Sequence, residues 1–545
     1  MRIFAIVLLS ALLVAGCGVL APDGSRTAPQ TGLGPEVGTP LVFPPQPATR
    51  DAADVHYATV TGNSPYNMSA NCVVHDDTLV ITGSAGKYAW AYYAMPSNGY
   101  DLTNLDVKLQ VSGTKAYVGL SDYLRGSWVF GPQVASGTLT LKPTAANVSP
   151  DGYVMVAVVA YDFTVVTLQE LTISRNEPAW QKSIVDDTGF TGEAVKLLSG
   201  TADGKPMLAY IDDYSDSVIM AHSPSAAPVA TADWTTFVLS SGLDQLKFEK
   251  PLQAKIIDGK PAIVCYERTV DQLICKYASV AVPSSSNDFY ERVVNSAFDP
   301  QQDSFSLDGI DGQIGFAISQ PMQGLKLQRI TASSFSVQPW SSSIIFPVNG
   351  NAPALARING MLAACAYYSW SDIMYLRAVA AEPAGYDDWV MQLWGGMGWS
   401  QGGRLQLAAV PYGNYEVPAV AWATPSSKLP GIDWSGLSYR YATHATPGVN
   451  DWVANAVESS PGVDSFELAV IGGRPALVYH SQAEHYVMFA WAKGAAPTVP
   501  LDWQYSVIDY LAECPYVSLA EIGGAPAVAY MDGSAGVLWY ARMQQ

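Results

Sequence analysis

Several stretches of the chain carry residue types that do chemistry in other settings. Gly398-Trp399-Ser400-Gln401-Gly402 matches the Gly-x-Ser-x-Gly pattern, which needs a strand before it and a helix after it to raise the serine as a nucleophile. Here a glycine-rich loop runs into another apolar, strand-like segment, so the context for that chemistry is missing. His480, Glu484 and His485 carry metal-ligating groups, but no helix places the two histidines on one face and the sequence offers no third ligand. No metal and no other cofactor is therefore expected, and no phosphate loop, dinucleotide fingerprint, EF-hand loop or Cys-x-x-Cys pair occurs. What remains is a set of carboxylates and aromatics scattered over distant positions: Asp186, Asp187, Asp212, Asp213, Glu267 and Asp532 with Trp370, Trp394, Trp399 and Trp434. Acidic and aromatic groups brought together suit a sugar, a cation or a cationic peptide.

A repeat decides whether these positions meet. In the last 44 residues, runs rich in Val, Ile, Tyr and Trp (Trp503 to Ile508, Val517 to Ile522, Ala527 to Met531, Val537 to Arg542) are bounded by Gly, Pro or Asp, the mark of strands joined by tight turns. The pattern recurs upstream with a register mark at Pro206, Pro261, Ile314, Leu362, Pro418, Pro475 and Pro526, spaced roughly 48 to 57 residues apart. That period signals a propeller or a solenoid, because one such unit cannot bury a core alone. Seven units of four strands close most naturally into a ring.

Each unit includes an aromatic, often in an Asp-Trp pair: Trp180, Asp233-Trp234, Asp288-Phe289, Phe335, Asp388-Trp389, Asp451-Trp452 and Asp502-Trp503. The strand that follows alternates polar and apolar residues and suits an outer edge, whereas the next two runs are uniformly apolar and suit inner positions. The first such strand, Trp180 to Val185, has no unit before it, and the last three strands have no outer strand after them. Pairing the two leaves no exposed edge. With this order the carboxylates and aromatics above fall on one loop face, from which we select Asp212, Glu267, Trp370, Trp399, Trp434, His480 and Asp532 as candidate ligand-binding residues. The longest connection, Ala423 to Gly436, carries Trp434. The Ser-x-Asp-x-Gly-x-Thr-Trp box of sialidase propellers is absent from the sequence.

The rest of the chain is read from composition. At 545 residues with a net charge of −19, it exceeds a single core and presents a surface that repels polyanions, so a nucleic-acid role is excluded. Arg2, the apolar run Ile3 to Ala15 and the ending Val14-Ala15-Gly16-Cys17 resemble the signal and lipobox of bacterial lipoproteins. The resemblance covers about 20 residues. It implies cleavage after residue 16, acylation of Cys17 and attachment to a membrane of the cell envelope, and Gly18 resembles the outer-membrane case. Several acyl chains are needed, since one chain binds only marginally. Residues 17–55, with seven prolines after Cys17, read as an extended tether. Residues 56–176 lack the repeat and show about seven short strands, the pattern of a β-sandwich of jelly-roll-like outline. Its aromatics Tyr88, Trp90, Tyr92, Tyr93, Tyr117, Tyr123 and Trp128 either stack on sugar rings or fill the core.

Beyond Cys17 the chain has Cys72, Cys265, Cys275, Cys365 and Cys514. Cys265 and Cys275 lie on consecutive strands of the second repeat. A hairpin symmetric about Val270 would set them opposite each other, close enough for a disulfide, while a shift of one residue would turn them to opposite faces.

The expected protein is thus all-β: a signal peptide (1–16), a tether (17–55), a jelly-roll-like β-sandwich (56–176) and a seven-bladed β-propeller (177–545). The expected role is that of a membrane-anchored, exported binding or interaction module whose ligand is a glycan or a protein. The alternative is a carbohydrate-active hydrolase or lyase with two mouth carboxylates about 5 to 10 Å apart. Replacing Cys17 by Ser should leave the precursor unacylated and release the protein from the membrane fraction. Fatty-acid labelling that still marks the Cys17→Ser chain would contradict the anchor.

Overall fold

The computed structural model describes residues 59–544 apart from residues 151, 190, 202, 213–214, 242–251, 268–270, 297, 300–302, 311, 321–322, 336–339, 348–350, 369–371, 395–404, 424–435, 459–461, 483 and 500–501. Cys17 and the tether lie outside the described residues. Contacts divide the chain into two compact units, the first within residues 57–97 and 101–175, the second made of residues 98–100 and 176–545.

The first unit contains two antiparallel sheets. One runs in the order Cys72–His75, Thr78–Thr82, Val165–Arg175, Leu102–Ser112, Gly137–Leu141, with Thr59–Thr61 also pairing on Val165–Arg175. The other runs Asn67–Met68, Tyr88–Pro96, Tyr153–Tyr161, Ala116–Asp122, Ser127–Phe130. Alternate residues of both sheets fill one core, with Leu79, Leu105, Val107, Val166 and Leu168 from the first and Ala91, Tyr93, Val118, Val156 and Val158 from the second. Strand parity divides the aromatics expected on one surface. Tyr93 points inward, is fully buried and donates its hydroxyl to Gly62 O at 2.6 Å. Trp90, Tyr92 and Trp128 stand on the opposite face.

The second unit is propeller-like. Among the described residues it holds seven four-stranded antiparallel sheets, each ordered from an inner to an outer strand. The first is Thr191–Leu197, Met207–Asp212, Ser217–His222, Thr235–Ser241, and the next five repeat this order along the chain. The seventh takes Val517–Ile522, Ala525–Asp532 and Val537–Met543 from the C-terminal end and Trp180–Asp186 from the start of the unit. Trp180 pairs with Met543 and Asp186 with Leu538, so the edge-closing pairing expected from the repeat order is present. Inner strands contact one another in sequence, and the seventh contacts the first. Tight two-residue turns join the first and second strands where both residues take positive φ, as at Asp258-Gly259 and Gly523-Gly524. That conformation matches the twist of the flanking strands and favours Gly or Asp.

The Asp-Trp pairs explain themselves in this arrangement. The Asp carboxylate accepts backbone N–H groups three and four residues earlier and so closes the turn that starts the outer strand in these sheets. Asp233 Oδ2 takes Val229 N and Ala230 N, Asp388 takes Ala384 N and Gly385 N, and Asp502 takes Thr498 N and Val499 N. The aromatic next to it then packs on the third strand of the preceding sheet. Trp234 meets Tyr540 at 5.3 Å, Trp452 meets Tyr375 at 5.1 Å, Trp503 meets Tyr439 at 5.3 Å and Trp180 meets Phe489 at 5.3 Å. All are edge-to-face, the arrangement that the ring quadrupoles favour.

The disulfide between Cys265 and Cys275 does not form. Both thiols are free and buried, because Glu267 pairs with Gln272 and the hairpin turns on four residues rather than five. Cys265 therefore faces Ile274, and Cys275 faces Val264. The one-residue shift sends the side chains to opposite faces of the sheet, Cys265 against the first sheet and Cys275 against the third. Burial pushes the Cys265 thiol up to about 12, so it stays protonated at neutral pH.

Trp180 closes the cycle with its ring on Phe489 and its Nε1 donating to Ser506 Oγ at 2.9 Å. Trp180→Ala should cost about 2 to 4 kcal/mol, read as a lower midpoint in chemical denaturation. A midpoint equal to the native one would show that this strand does not hold the cycle.

Candidate functional site

The hairpins between second and third strands lie on one face of the second unit. The second strands end at Asp212, Glu267, Gln320, Tyr367, Ala423, Ser481 and Asp532, and the first, second and seventh of these lie six residues after the register marks Pro206, Pro261 and Pro526. Three of the candidate residues, Asp212, Glu267 and Asp532, thus occupy corresponding sites. His480 comes one residue earlier and points the other way. It is fully buried, with Nε2 2.9 Å from Leu511 O, so it belongs to the scaffold and offers no surface to a ligand. Trp370, Trp399 and Trp434 lie outside the described residues. Trp394 is buried, stacked parallel to Tyr375 and covered by the Arg440 guanidinium at 4.9 Å.

Several described carboxylates of this face are occupied as acceptors. Asp532 Oδ1 holds its own turn through Ser534 N and Ala535 N, and Asp212 accepts the Ser215 hydroxyl. A more regular device was not read from the sequence. Two residues before the end of the second strand, the first, sixth and seventh sheets carry Tyr210, Tyr479 and Tyr530. Each donates its hydroxyl to a carboxylate at the end of the preceding sheet's outer strand: Tyr210 to Asp186 at 2.6 Å, Tyr479 to Glu458 at 3.1 Å and Tyr530 to Asp509 at 2.8 Å. Glu458 also takes Tyr486 at 3.0 Å, and Asp509 pairs with Lys182 at 3.0 Å.

Bulges aim these carboxylates. The ladder skips Val185, Val457 and Ile508, and the carboxylate is the next residue each time. An extra residue in one strand of a pair re-directs the side chain that follows it, here toward the neighbouring sheet. Burial, reinforced by the adjacent carboxylate, raises the pKa of Tyr210, Tyr479 and Tyr530 well above the ordinary phenol value, so all three remain donors. The recurrence of Tyr at one point of the repeat, in Leu-Ala-Tyr, Leu-Val-Tyr and Val-Ala-Tyr, was the available signal, but its carboxylate partner sits in a different repeat.

Asp303, which precedes the third inner strand, differs from these. It accepts Gln320 Nε2 and Asp299 N, each at 2.9 Å, and burial raises its carboxyl above the ordinary carboxylate range. Deeper in the unit, Lys196 and Glu467 of the first and sixth inner strands meet at 2.6 Å although the seventh sheet lies between those two in the cycle. The pair therefore reaches across the space that the inner strands surround. Among the described residues no group of three or more His, Cys, Asp or Glu is placed to hold a metal ion.

A second candidate surface lies on the first unit. The outer face of its five-stranded sheet carries Trp90 and Tyr92, parallel within 6° with centroids 5.0 Å apart. Tyr66 and Trp128 each lie 6.1 Å from Tyr92, and Phe130 lies 6.2 Å from Trp128. Met155 and Ala157 of the central strand pack among these rings. Amides are set beside them, with Asn67 Nδ2 donating to the Tyr92 hydroxyl at 3.1 Å and Gln133 Nε2 to the Tyr117 hydroxyl at 3.1 Å. Tyr66 is 46% exposed, and Trp90 and Phe130 are half-buried.

Glu458→Ala should remove the acceptor of two buried tyrosine hydroxyls. Each unsatisfied group costs about 1 to 3 kcal/mol, so the loss of stability should reach about 2 to 6 kcal/mol, with Tyr530→Phe costing about 1 kcal/mol. Denaturation midpoints measure both, and an unchanged midpoint for Glu458→Ala would contradict the latch.

The chain matches no protein-family model, and no curated protein sequence matches it. Among solved structures it is similar to the BP39L lectin from Burkholderia pseudomallei, at 12% identity over 64% of this chain and 96% of that one, with a TM-score of 0.42. It is also similar to the WD40 domain of Toxoplasma gondii coronin, at 8% identity over 67% and 86% with a TM-score of 0.43. A third is the Aleuria aurantia lectin, at 9% identity over 59% and 97% with a TM-score of 0.36. These values say nothing of what the chain binds, and its architecture rests on the strand pairings above.

Proposed function

We propose that the protein is a glycan-binding module of the bacterial cell envelope, exported and held at a membrane through acylated Cys17 and the tether of residues 17–55. In this reading the first unit is a jelly-roll-like β-sandwich and the second a seven-bladed propeller. The observation that carries the binding role is the aromatic face of the first unit. Half-buried Trp90, backed by the parallel and buried ring of Tyr92, offers with exposed Tyr66 a flat apolar surface of the size of a pyranose face, and the neighbouring amides and hydroxyls supply the directional hydrogen bonds that fix a sugar's orientation. The surface bears little charge, which suits a neutral ligand.

The loop face of the propeller remains part of the proposal through Trp370, Trp399 and Trp434. A hydrolase or lyase needs two carboxylates facing a glycosidic bond. Asp186, Glu458 and Asp509 are already acceptors for tyrosines, and this commitment favours binding over catalysis.

The mature chain, kept in a polyoxyethylene detergent, should bind a subset of a glycan array. Trp90→Ala should weaken the strongest of these interactions at least about tenfold, as the loss of a stacked aromatic anchor does. Absence of any glycan signal would refute the proposal, and binding that survives Trp90→Ala undiminished would move the site to the propeller.

A further inference from the structure

The first unit has a second concave feature, separate in chemistry from its aromatic face. A cavity of about 370 Å³ opens at the edge where the two sheets part, a size within the range of small-molecule sites, roughly 300 to 1,000 Å³. Its floor is aliphatic: Val118, Leu120 and Val129 from the five-stranded sheet and Leu141 from the other. Val129 pairs with Leu120, so both side chains point into the space between the sheets. Leu120 is covered, yet Val129 is 47% exposed. An inward-facing aliphatic side chain that remains open to water means that the described residues do not fill this end of the core.

The rim is cationic, in a protein whose net charge is −19. Lys142 and Arg125 line the opening. Asp122, whose side chain is 5% exposed, receives Arg125 Nη1 at 2.8 Å and Arg125 N at 3.0 Å. The guanidinium is thereby held on one side by Asp122, with 73% of the Arg125 side chain exposed. Asp122 balances the charge of Arg125, and Lys142, which makes no ion pair to a described residue, supplies the net positive charge.

We propose that this cavity is a binding site for a small organic anion with an apolar body, an aromatic or branched aliphatic carboxylate. The body would lie against the covered side chains of Val118 and Leu120 and remove the surface of Val129 and Leu141 from water. The carboxylate would lie between Arg125 and Lys142, where charge-assisted hydrogen bonds from a pre-oriented guanidinium are strongest. A neutral sugar lacks both features, so this site does not depend on the glycan reading and stands or falls separately from it.

Ligand-observed NMR titration of the full mature chain with benzoate, and in parallel with its neutral analogue benzyl alcohol, tests the site. Benzoate should bind saturably and more tightly than the alcohol. Lys142→Gln, an exposed substitution, should weaken benzoate about five- to tenfold and leave the alcohol unchanged. Val129→Trp should fill the floor and abolish both signals. Equal responses to acid and alcohol, or benzoate binding indifferent to Lys142→Gln and Val129→Trp, would overturn the proposal. The thermal midpoint of each variant separates loss of the site from loss of the fold: a Val129→Trp chain that melts like the native protein and still binds benzoate places the ligand elsewhere.

Discussion

A four-stranded antiparallel sheet exposes two faces and covers neither, so the second unit exists only through contacts between successive sheets. The contact that recurs is a single aromatic side chain at the start of an outer strand, laid edge-on against the third strand of the sheet before it. Trp234 on Tyr540, Trp452 on Tyr375, Trp503 on Tyr439 and Trp180 on Phe489 are copies of one interaction. The indole N–H adds direction to it, since Trp180, Trp234 and Trp452 donate to Ser506, Ser183 and Gln392 on the preceding outer strand. Burial of so large a ring couples two sheets at once. Beside Trp234, Trp452 and Trp503 the adjacent Asp, by closing the turn, sets where the ring enters.

On the loop face the coupling is polar. The hydroxyls of Tyr210, Tyr479 and Tyr530 reach carboxylates of the preceding sheet, in surroundings where an unpaired phenol or carboxylate would be costly. A bulge before each carboxylate turns it toward its partner. The acidity of this face is therefore partly structural. That is why Asp186, which looks available for catalysis in the sequence, is engaged in the folded chain, and why the proposed binding role draws on aromatic groups.

The two candidate surfaces of the first unit follow from the same strand alternation. In Tyr88–Pro96, Tyr93 faces the core while Trp90 and Tyr92 form a stack on the other side. In Ser127–Phe130, Trp128 joins that aromatic face and Val129 looks into the gap between the sheets. One sheet thus offers flat rings on one side and an aliphatic floor at its edge, surfaces with different chemical preferences.

The repeat period, the identity of the strands, the outer position of the Asp-Trp strands and the pairing of Trp180–Asp186 with the last sheet were legible in the sequence. All depend on local composition and on the rule that an unpaired edge must be covered. The inward or outward direction of a given side chain was not. Cys265 and Cys275 part because their hairpin turns on an even number of residues, and His480 points to the opposite face from Asp212 and Asp532 because it sits one place before the end of its strand. A strand alternates with a period of two, so one residue of register, set by turn geometry and by bulges, reverses the face. The tyrosine latches lay further out of reach, since each joins a tyrosine to a carboxylate that a bulge has re-aimed from another repeat. Which strands exist is decided by local propensity and pattern, whereas which side chains meet is decided by the packing of one sheet on the next.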